Sequence, residues 1–482
     1  MSNLKSHACH RFQRAVSRRE LLQTSASGFG MLALTGLLAD EARAENPLAV
    51  KKPHFPPKAK RVIFLFMHGG PSQVDTFDPK PLLTRDSGKP YAGQRPRVVF
   101  AQTGNLLGSP WKFNHYGKCG TEVSDLFPNV AQCVDDMCVI RSLHGSNPAH
   151  GGALLKVHTG TDVGIRPSMG SWAVYGLGTE NQNLPGYVTI CPTLGHGGVQ
   201  NWSSAFLPPW TQGTPIGNAS VKAKEAKLAH LGNADATAAL QRLQLDNLHD
   251  LDSEQLSHWG VDPVLEGRIQ SFELAFRMQV EAPKLMDISK ETQATLDLYG
   301  IDKDPTDNFG RQCLLARRFC EAGVRFVQVT HSYKWDQHGD LKNGHTRNAA
   351  EVDKPIAGLL RDLKQRGLLE DTLVLWGGEF GRTPTAQGGD GRDHNPHGFT
   401  MWMAGGGVNP GTTYGSTDDY GWFAEGDKCH IHDLHATMLH LLGIDHTKLT
   451  YRYAGRDYRL TDVEGVVAAK VLKDPSSLKF VV

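Results

Sequence analysis

A chain of 482 residues exceeds one minimal domain, and 39% apolar with 21% charged residues describes an ordinary globular protein. The formal charge of +1 excludes the basic footprint of a nucleic-acid binder. The 22 histidines are the compositional oddity, and several stand beside Gly or Asp in loop-like segments.

Residues 1–44 read as a targeting segment. Ser17-Arg18-Arg19-Glu20-Leu21-Leu22 is a twin-arginine pattern, an apolar stretch follows from about Ser25 to Ala39, and Ala42-Arg43-Ala44 fits a small-x-small cleavage site. The apolar stretch is too short and Gly-broken to span a bilayer. The expectation is therefore a protein delivered by the twin-arginine export machinery, periplasmic or otherwise exported, with no membrane span in the mature form. Residues 45–60, rich in Pro and Lys, are a linker. Seven cysteines follow residue 44, and an odd number argues against a complete disulfide framework.

Arg61–Met67 is a continuous apolar run of strand length. Strands apolar on both faces belong to parallel sheets covered on both sides. It ends in His68-Gly69-Gly70-Pro71-Ser72, and Asp75 continues that loop. Residues 79–122 are rich in Gly and Pro and show little periodicity. Leu126–Asp136 has helical spacing, and Cys138–Arg141 is a short strand. The loop 142–150, with Ser146 and His150, leads into a helix over Gly151–His158; a helix start after a strand is a natural anion site. A further helix is expected over Pro167–Gly178 and a strand over Gly186–Cys191.

Residues 215–305 carry helix periodicity and no strand signal, so a helical insertion capping the sheet's ligand edge is expected. Helices follow over Phe309–Ala322, Arg347–Arg366 and His432–Leu442, with Gly367 as a C-cap. Apolar strands are expected at Val324–Thr330, Thr372–Trp376 and Phe399–Met403. Strands alternating with helices indicate an α/β fold with one large, mostly parallel sheet flanked by helices.

Three loops at strand ends carry acid or imidazole: Trp335-Asp336-Gln337-His338-Gly339-Asp340, Glu379-Phe380-Gly381-Arg382 and Asp393-His394-Asn395-Pro396-His397-Gly398. Ligands bind at the C-terminal edge of open α/β sheets. His68, Asp75, Asp336, His338, Glu379, His394 and His397 are the candidate metal ligands. Neutral imidazoles with hard carboxylates suit Zn²⁺, Mn²⁺, Ca²⁺ or Mg²⁺. Such an ion polarises a phosphoryl or sulfuryl oxygen or turns bound water into hydroxide. Arg382 reads as an anion clamp, and Glu379 has the alternative of a buried ion pair with Arg382. His150 stands either as a catalytic group or as a residue orienting the site. Ser146 and Ser72 are the available hydroxyl nucleophiles. The Gly-rich 388–391 and 405–407 lack the Lys-Ser/Thr ending of a phosphate cradle and read as turns.

The order of these loops resembles the alkaline phosphatase superfamily, which includes the sulfatases. The fragments His68-Gly-Gly-Pro-Ser-Gln-Val-Asp-Thr-Phe-Asp, Ser168-Met-Gly-Ser-Trp, Trp335-Asp-Gln-His and Gly378-Glu-Phe-Gly-Arg-Thr-Pro are similar to one branch, the DUF1501 family of exported bacterial proteins. The resemblance spans about residues 60–465. It implies an alkaline phosphatase-like fold over 61–482 with a divalent-metal site at the sheet's C-terminal edge. It also implies an exported hydrolase of phosphate or sulfate esters, on small molecules or polysaccharides. A catalytically degenerate relative that binds an anionic ligand is the alternative. The Asp-His pair of active phosphatases is Glu379-Phe380 here. His150 falls where the sulfatases carry the Cys that becomes formylglycine, so a conventional sulfatase mechanism is not expected.

Overall fold

The computed structural model describes residues 48–96, 103–229, 231–232, 236–259 and 263–480; the targeting segment 1–44 lies outside them. Val50–Val482 form one compact unit. In chain order its principal elements are β1 (Arg61–Met67), β2 (Met137–His144), α1 (His150–Thr159), α2 (Met169–Leu177), β3 (Tyr187–Ile190), β4 (Thr214–Ile216), α3 (Ala238–Trp259), α4 (Pro263–Met286), α5 (Asp307–Glu321), β5 (Phe326–His331), α6 (Leu341–Gln365), β6 (Thr372–Gly377), β7 (Gly381–Gln387), β8 (Gly391–Asn395), β9 (Phe399–Ala404), β10 (Thr412–Tyr414), β11 (Cys429–His430) and α7 (Ile431–Leu441).

The central sheet has nine strands. Eight follow the order β10-β2-β9-β6-β1-β5-β3-β4, and β11 pairs with β2. All seven residues of β1 are buried, as expected for a strand covered on both faces. β1 pairs in parallel with β5 and β6, and β3 with β5 and β4. β9 runs antiparallel to both its neighbours, β2 and β6. The six strands expected from the sequence thus share one mostly parallel sheet. The inverted β9 brings its N-terminal end to the edge where β1, β5 and β6 finish. The loops after β1, β5 and β6 and the segment before β9 therefore meet at one edge.

α5 and α6 cover one face. Their apolar residues, among them Phe309, Cys313, Leu314, Val352, Ile356 and Leu359, pack with Ile63, Leu65, Val327 and Val329 of the sheet. The insertion 215–305 is helical in α3 and α4, but its first residues, Pro215 and Ile216, belong to β4 of the sheet, against the expectation of no strand there. The C-terminal end of α4 leans on α5, where Arg318 donates to the carbonyls of Lys284, Leu285 and Asp287. The segments expected as loops at 379–382 and 393–398 are largely an antiparallel hairpin, β7 with β8, and Gly388 and Gly389 take φ of +62° and +95° at its tip. Gly389 and its neighbours are turns, in agreement with the sequence. All seven cysteines after residue 44 are free, and six are buried. No helix among the described residues is long and apolar enough to cross a membrane.

Candidate metal centre

The centre forms where four segments meet: the ends of β1, β5 and β6 and the β7–β8 hairpin. The loop after β1 passes hard against the loop after β5. A Cβ on Gly69 would lie 2.7 Å from the backbone nitrogens of Trp335 and Asp336, and φ there is +117°, so only glycine fits.

Asp336 is the hub. Its Oδ1 lies 2.9 Å from His338 Nε2, 3.1 Å from His394 Nε2 and 2.6 Å from Arg382 Nη2. Its Oδ2 accepts the Tyr333 hydroxyl at 2.5 Å and lies 3.3 Å from His150 Nε2, without hydrogen-bond geometry. Burial would raise the Asp336 carboxyl, but the three imidazoles and Arg382 outweigh it and hold the group far below the usual carboxylate range.

The two histidines on this hub are oriented from behind. His394 Nδ1–H donates to the Pro148 carbonyl at 2.6 Å, and His338 Nδ1–H donates to Gln387 Oε1. A neutral imidazole with Nδ1 protonated presents a lone pair at Nε2. The two Nε2 atoms face each other at 3.0 Å. Two lone pairs and a carboxylate oxygen pointed at one spot repel unless a metal ion, or a proton on His338, lies between them; the hydrogen bond to Asp336 raises the His338 ring and favours that proton when no ion is bound. Ligands on a tetrahedral ion with bonds near 2 Å stand about 3.3 Å apart, close to the three separations here. Asp336, His338 and His394 therefore fit a divalent ion. Outer acceptors on the distal ring nitrogens are the usual companion of ligating histidines.

Beside this hub lies a second constellation. Glu379 is fully buried at the end of β6. It accepts the Gly69 N–H at 3.0 Å on Oε1 and 3.2 Å on Oε2, and the His150 Nδ1–H at 2.7 Å. Burial would raise its carboxyl, but the His150 hydrogen bond and the nearby His68 lower it. His150 is the first residue of α1; burial opposes its protonation, and Asp336 and Glu379 together raise it above the ordinary range. His68 Nε2 sits 3.2 Å from His196 Nδ1, and burial pulls His68 down to about 4. His68, His150 and His196 each offer a ring nitrogen within 4.8 Å of the others, a second grouping able to hold an ion.

The structure thus brings together His68, His150, Asp336, His338, Glu379, Arg382 and His394. It corrects four expectations. Asp75 is not on the cluster: it is buried in a two-point ion pair with Arg392, at 2.7 and 3.1 Å, and accepts the Ser72 hydroxyl at 2.5 Å. His397 packs on Phe423, and the hub histidine is His394. Ser146 is exposed, hydrogen-bonds to none of these groups, and is no nucleophile of this centre. Arg382 is 0% exposed and is no open clamp: it donates to the carbonyls of Gly69, Gly70, Trp335 and Arg392 as well as to Asp336. Glu379 accordingly pairs with His150, not with Arg382.

The sequence reading missed His196 and Tyr333. Both were within reach of its own rule, since Gly195-His196-Gly197-Gly198 follows β3 and Tyr333 follows β5 on the same edge. His196 holds a left-handed backbone, φ +46°, which few non-glycine residues adopt and which often marks a functional position.

The family model described as "Protein of unknown function (DUF1501)" matches residues 59–472. The chain belongs to the DUF1501 family. No curated protein matches this DUF1501 chain. Among solved structures it is similar to the lipoteichoic acid synthase LtaP from Listeria monocytogenes, at 9% identity over 84% of this chain and 78% of that one, TM-score 0.36. It is similar to alkaline phosphatase from the Antarctic bacterium TAB5, at 11% identity over 81% and 99%, TM-score 0.31. It is also similar to the PsFucS1 sulfatase from Pseudoalteromonas sp., at 13% identity over 84% and 70%, TM-score 0.33.

Proposed function

We propose that this DUF1501 protein is a metal-dependent hydrolase of phosphate or sulfate esters. One observation carries the reading: His338 and His394, each anchored through Nδ1–H, turn Nε2 atoms 3.0 Å apart onto Asp336 Oδ1. A divalent ion held there supplies a Lewis acid for the ester oxygen and lowers the pKa of water. Asp336, His338 and His394 would hold it, and Zn²⁺ or Mn²⁺ suits this set best.

The chain's own residues then divide the remaining work. Glu379, fixed by the Gly69 N–H, accepts from His150 Nδ1–H and keeps the His150 Nε2 facing the hub. A carboxylate that orients an imidazole in this way makes it a general base toward water and a general acid toward the leaving oxygen. Tyr333 holds the outer oxygen of Asp336. Arg382 positions Asp336 and does not meet substrate. With Ser146 outside the centre and Ser72 committed to Asp75, water is the nucleophile that this arrangement favours.

The test is hydrolysis of an aryl phosphate and an aryl sulfate by the metal-loaded protein. His150→Gln should lower kcat at least 100-fold with metal content retained, and activity unchanged in that variant would rule out its role. A binding protein without turnover is the second reading; it is favoured by the complete engagement of Arg382, which leaves no guanidinium for a substrate oxyanion. Export through the twin-arginine route remains part of the proposal, and Arg18→Lys with Arg19→Lys should hold the protein in the cytoplasm.

A further inference from the structure

Among the described residues, the exposed large apolar side chains gather mainly on the α3–α4 hairpin and on loops beside the metal centre. Beside the centre they come from two loops held at α1. Leu194 and Val199 stand on the loop that carries His196, and Val163 and Ile165 on the loop that follows α1; each of the four is between 54% and 73% exposed. Side chains of this kind, grouped in one place, mark a surface that meets an apolar ligand.

Contacts fix both loops against α1. His196 stacks on His150 with ring centroids 4.9 Å apart, and its ring lies 4.9 Å from that of Tyr333. Gly197, at φ +98°, brings the chain down on α1, where a Cβ would meet Leu155 Cδ2 at 3.3 Å. In the second loop Asp162 accepts the Asn147 Nδ2–H at 3.1 Å, and a Cβ on Gly152 would strike the same Asn147 side chain. Up to Lys156, the part-exposed residues of α1 are Gly151, Gly152 and Leu155, none of them charged. A Cβ on Gly151 would meet nothing within 4 Å, so open space adjoins His150. The surface turns charged at Lys156 and at the Arg166–Asp462 pair. From His150 to Lys156 the helix rises about 9 Å. Beyond His338 the hub meets a different surface, where Asp340 and Asp390 stand exposed.

We infer that the ester taken by this centre carries an apolar alcohol, an alkyl chain that lies along α1 from His150 past Gly151 and Leu155 and covers Leu194, Val199, Val163 and Ile165. The inference rests on the hydrolase reading for its direction: His150 protonates the leaving oxygen, so the alcohol departs beside α1. Each methylene buried there tightens binding by up to roughly 4-fold. A sugar alcohol would instead set hydroxyls against side chains that offer them no hydrogen bond.

The test measures binding without turnover, on the metal-loaded full chain carrying His150→Gln. Calorimetry compares butyl with octyl phosphate and butyl with octyl sulfate, all below their micelle concentrations. The octyl ester of the better-bound anion should bind on the order of 10-fold tighter than the butyl ester or more, one per chain, and the inorganic anion should displace it. Adding Leu194→Asn and Ile165→Asn should cut that ratio to about 3-fold or less with the butyl Kd unchanged. Both positions are exposed, so the Tm should hold. Leu251→Asn, which alters an equally exposed leucine on α3, should leave the ratio as it was. Equal binding of butyl and octyl esters, a ratio that survives the double substitution or falls as far with Leu251→Asn, or octyl ester that the inorganic anion does not displace would overturn the inference. Release of phosphate or sulfate by the protein with His150 intact is read separately. No release, with the chain-length preference present and lost in the double variant, would sink the hydrolase reading and leave the apolar site standing.

Discussion

Replacing Gln387 by Ala asks whether His338 is oriented for an ion. Gln387 is half-buried on β7, and its side-chain oxygen accepts the His338 Nδ1–H. Removing it deletes no charge and leaves Asp336, His394 and Arg382 as they are. The His338 ring can then rotate or move its proton to Nε2, the atom that faces His394 at 3.0 Å. Loss of such an outer partner weakens metal binding roughly 10- to 100-fold, or about 1.4–2.7 kcal/mol. Without metal the change removes one partly exposed hydrogen bond, worth about 1 kcal/mol or less. The two figures separate when Zn²⁺ competition against a chromophoric chelator is run beside urea unfolding in chelator. Expected is a Kd raised by the factor above with a small shift in the chelated protein. An unchanged Kd, or equal stability losses with and without metal, would refute the reasoning.

Arg382→Lys should destabilise the fold by about 3–5 kcal/mol, because a lysine cannot replace the five hydrogen bonds that the three guanidinium nitrogens make; urea unfolding measures it, and a variant of native stability would contradict the positioning role. Asp75→Asn should cost a similar amount by leaving Arg392 buried without its partner, while zinc content stays that of the native protein; loss of metal would restore Asp75 to the ligand set. Acid should destabilise the protein through histidines buried in the neutral form. Burial pulls His158 to about 4 and His345 and His435 to about 3. Between the unfolded value of 6.5 and these values the unfolded chain binds more protons, so stability is present above pH 6.5 and falls as pH drops toward 4. Each of the three contributes about 1.4 kcal/mol per pH unit. Chemical denaturation at stepped pH reads the slope, and stability that is flat or rising from pH 6.5 to 4.5 would contradict it.

The fold was legible where local pattern and burial agree. Arg61–Met67 and Thr372–Trp376 are apolar on both faces because each has a strand on either side and helices above and below. Asp336, His338, Glu379 and the His394 segment were legible because polar, Gly-punctuated residues after buried strands have one edge on which to meet. What stayed hidden depends on pairing across the chain. Arg382 and His394 are opposite one another in a hairpin, and strand register brings them to Asp336. Nothing local distinguishes His394 from His397 three residues later. Likewise Asp75 and Arg392 are 317 residues apart, and only the folded chain shows their charges cancelled. The fate of Arg382 was illegible for the same reason, since four backbone carbonyls from two other segments and its own hairpin enclose it.

Metal content is the most direct test of the main centre. Elemental analysis should compare the native full-length protein with the His338→Ala, His394→Ala variant, both purified from metal-replete cells without chelator. The convergence of Asp336 Oδ1 with two anchored Nε2 atoms predicts one equivalent of divalent transition metal fewer in the variant, with the aryl-ester hydrolysis lost alongside it. Equal metal in both proteins, or native protein that hydrolyses the ester while metal-free, would contradict a metal held by Asp336, His338 and His394.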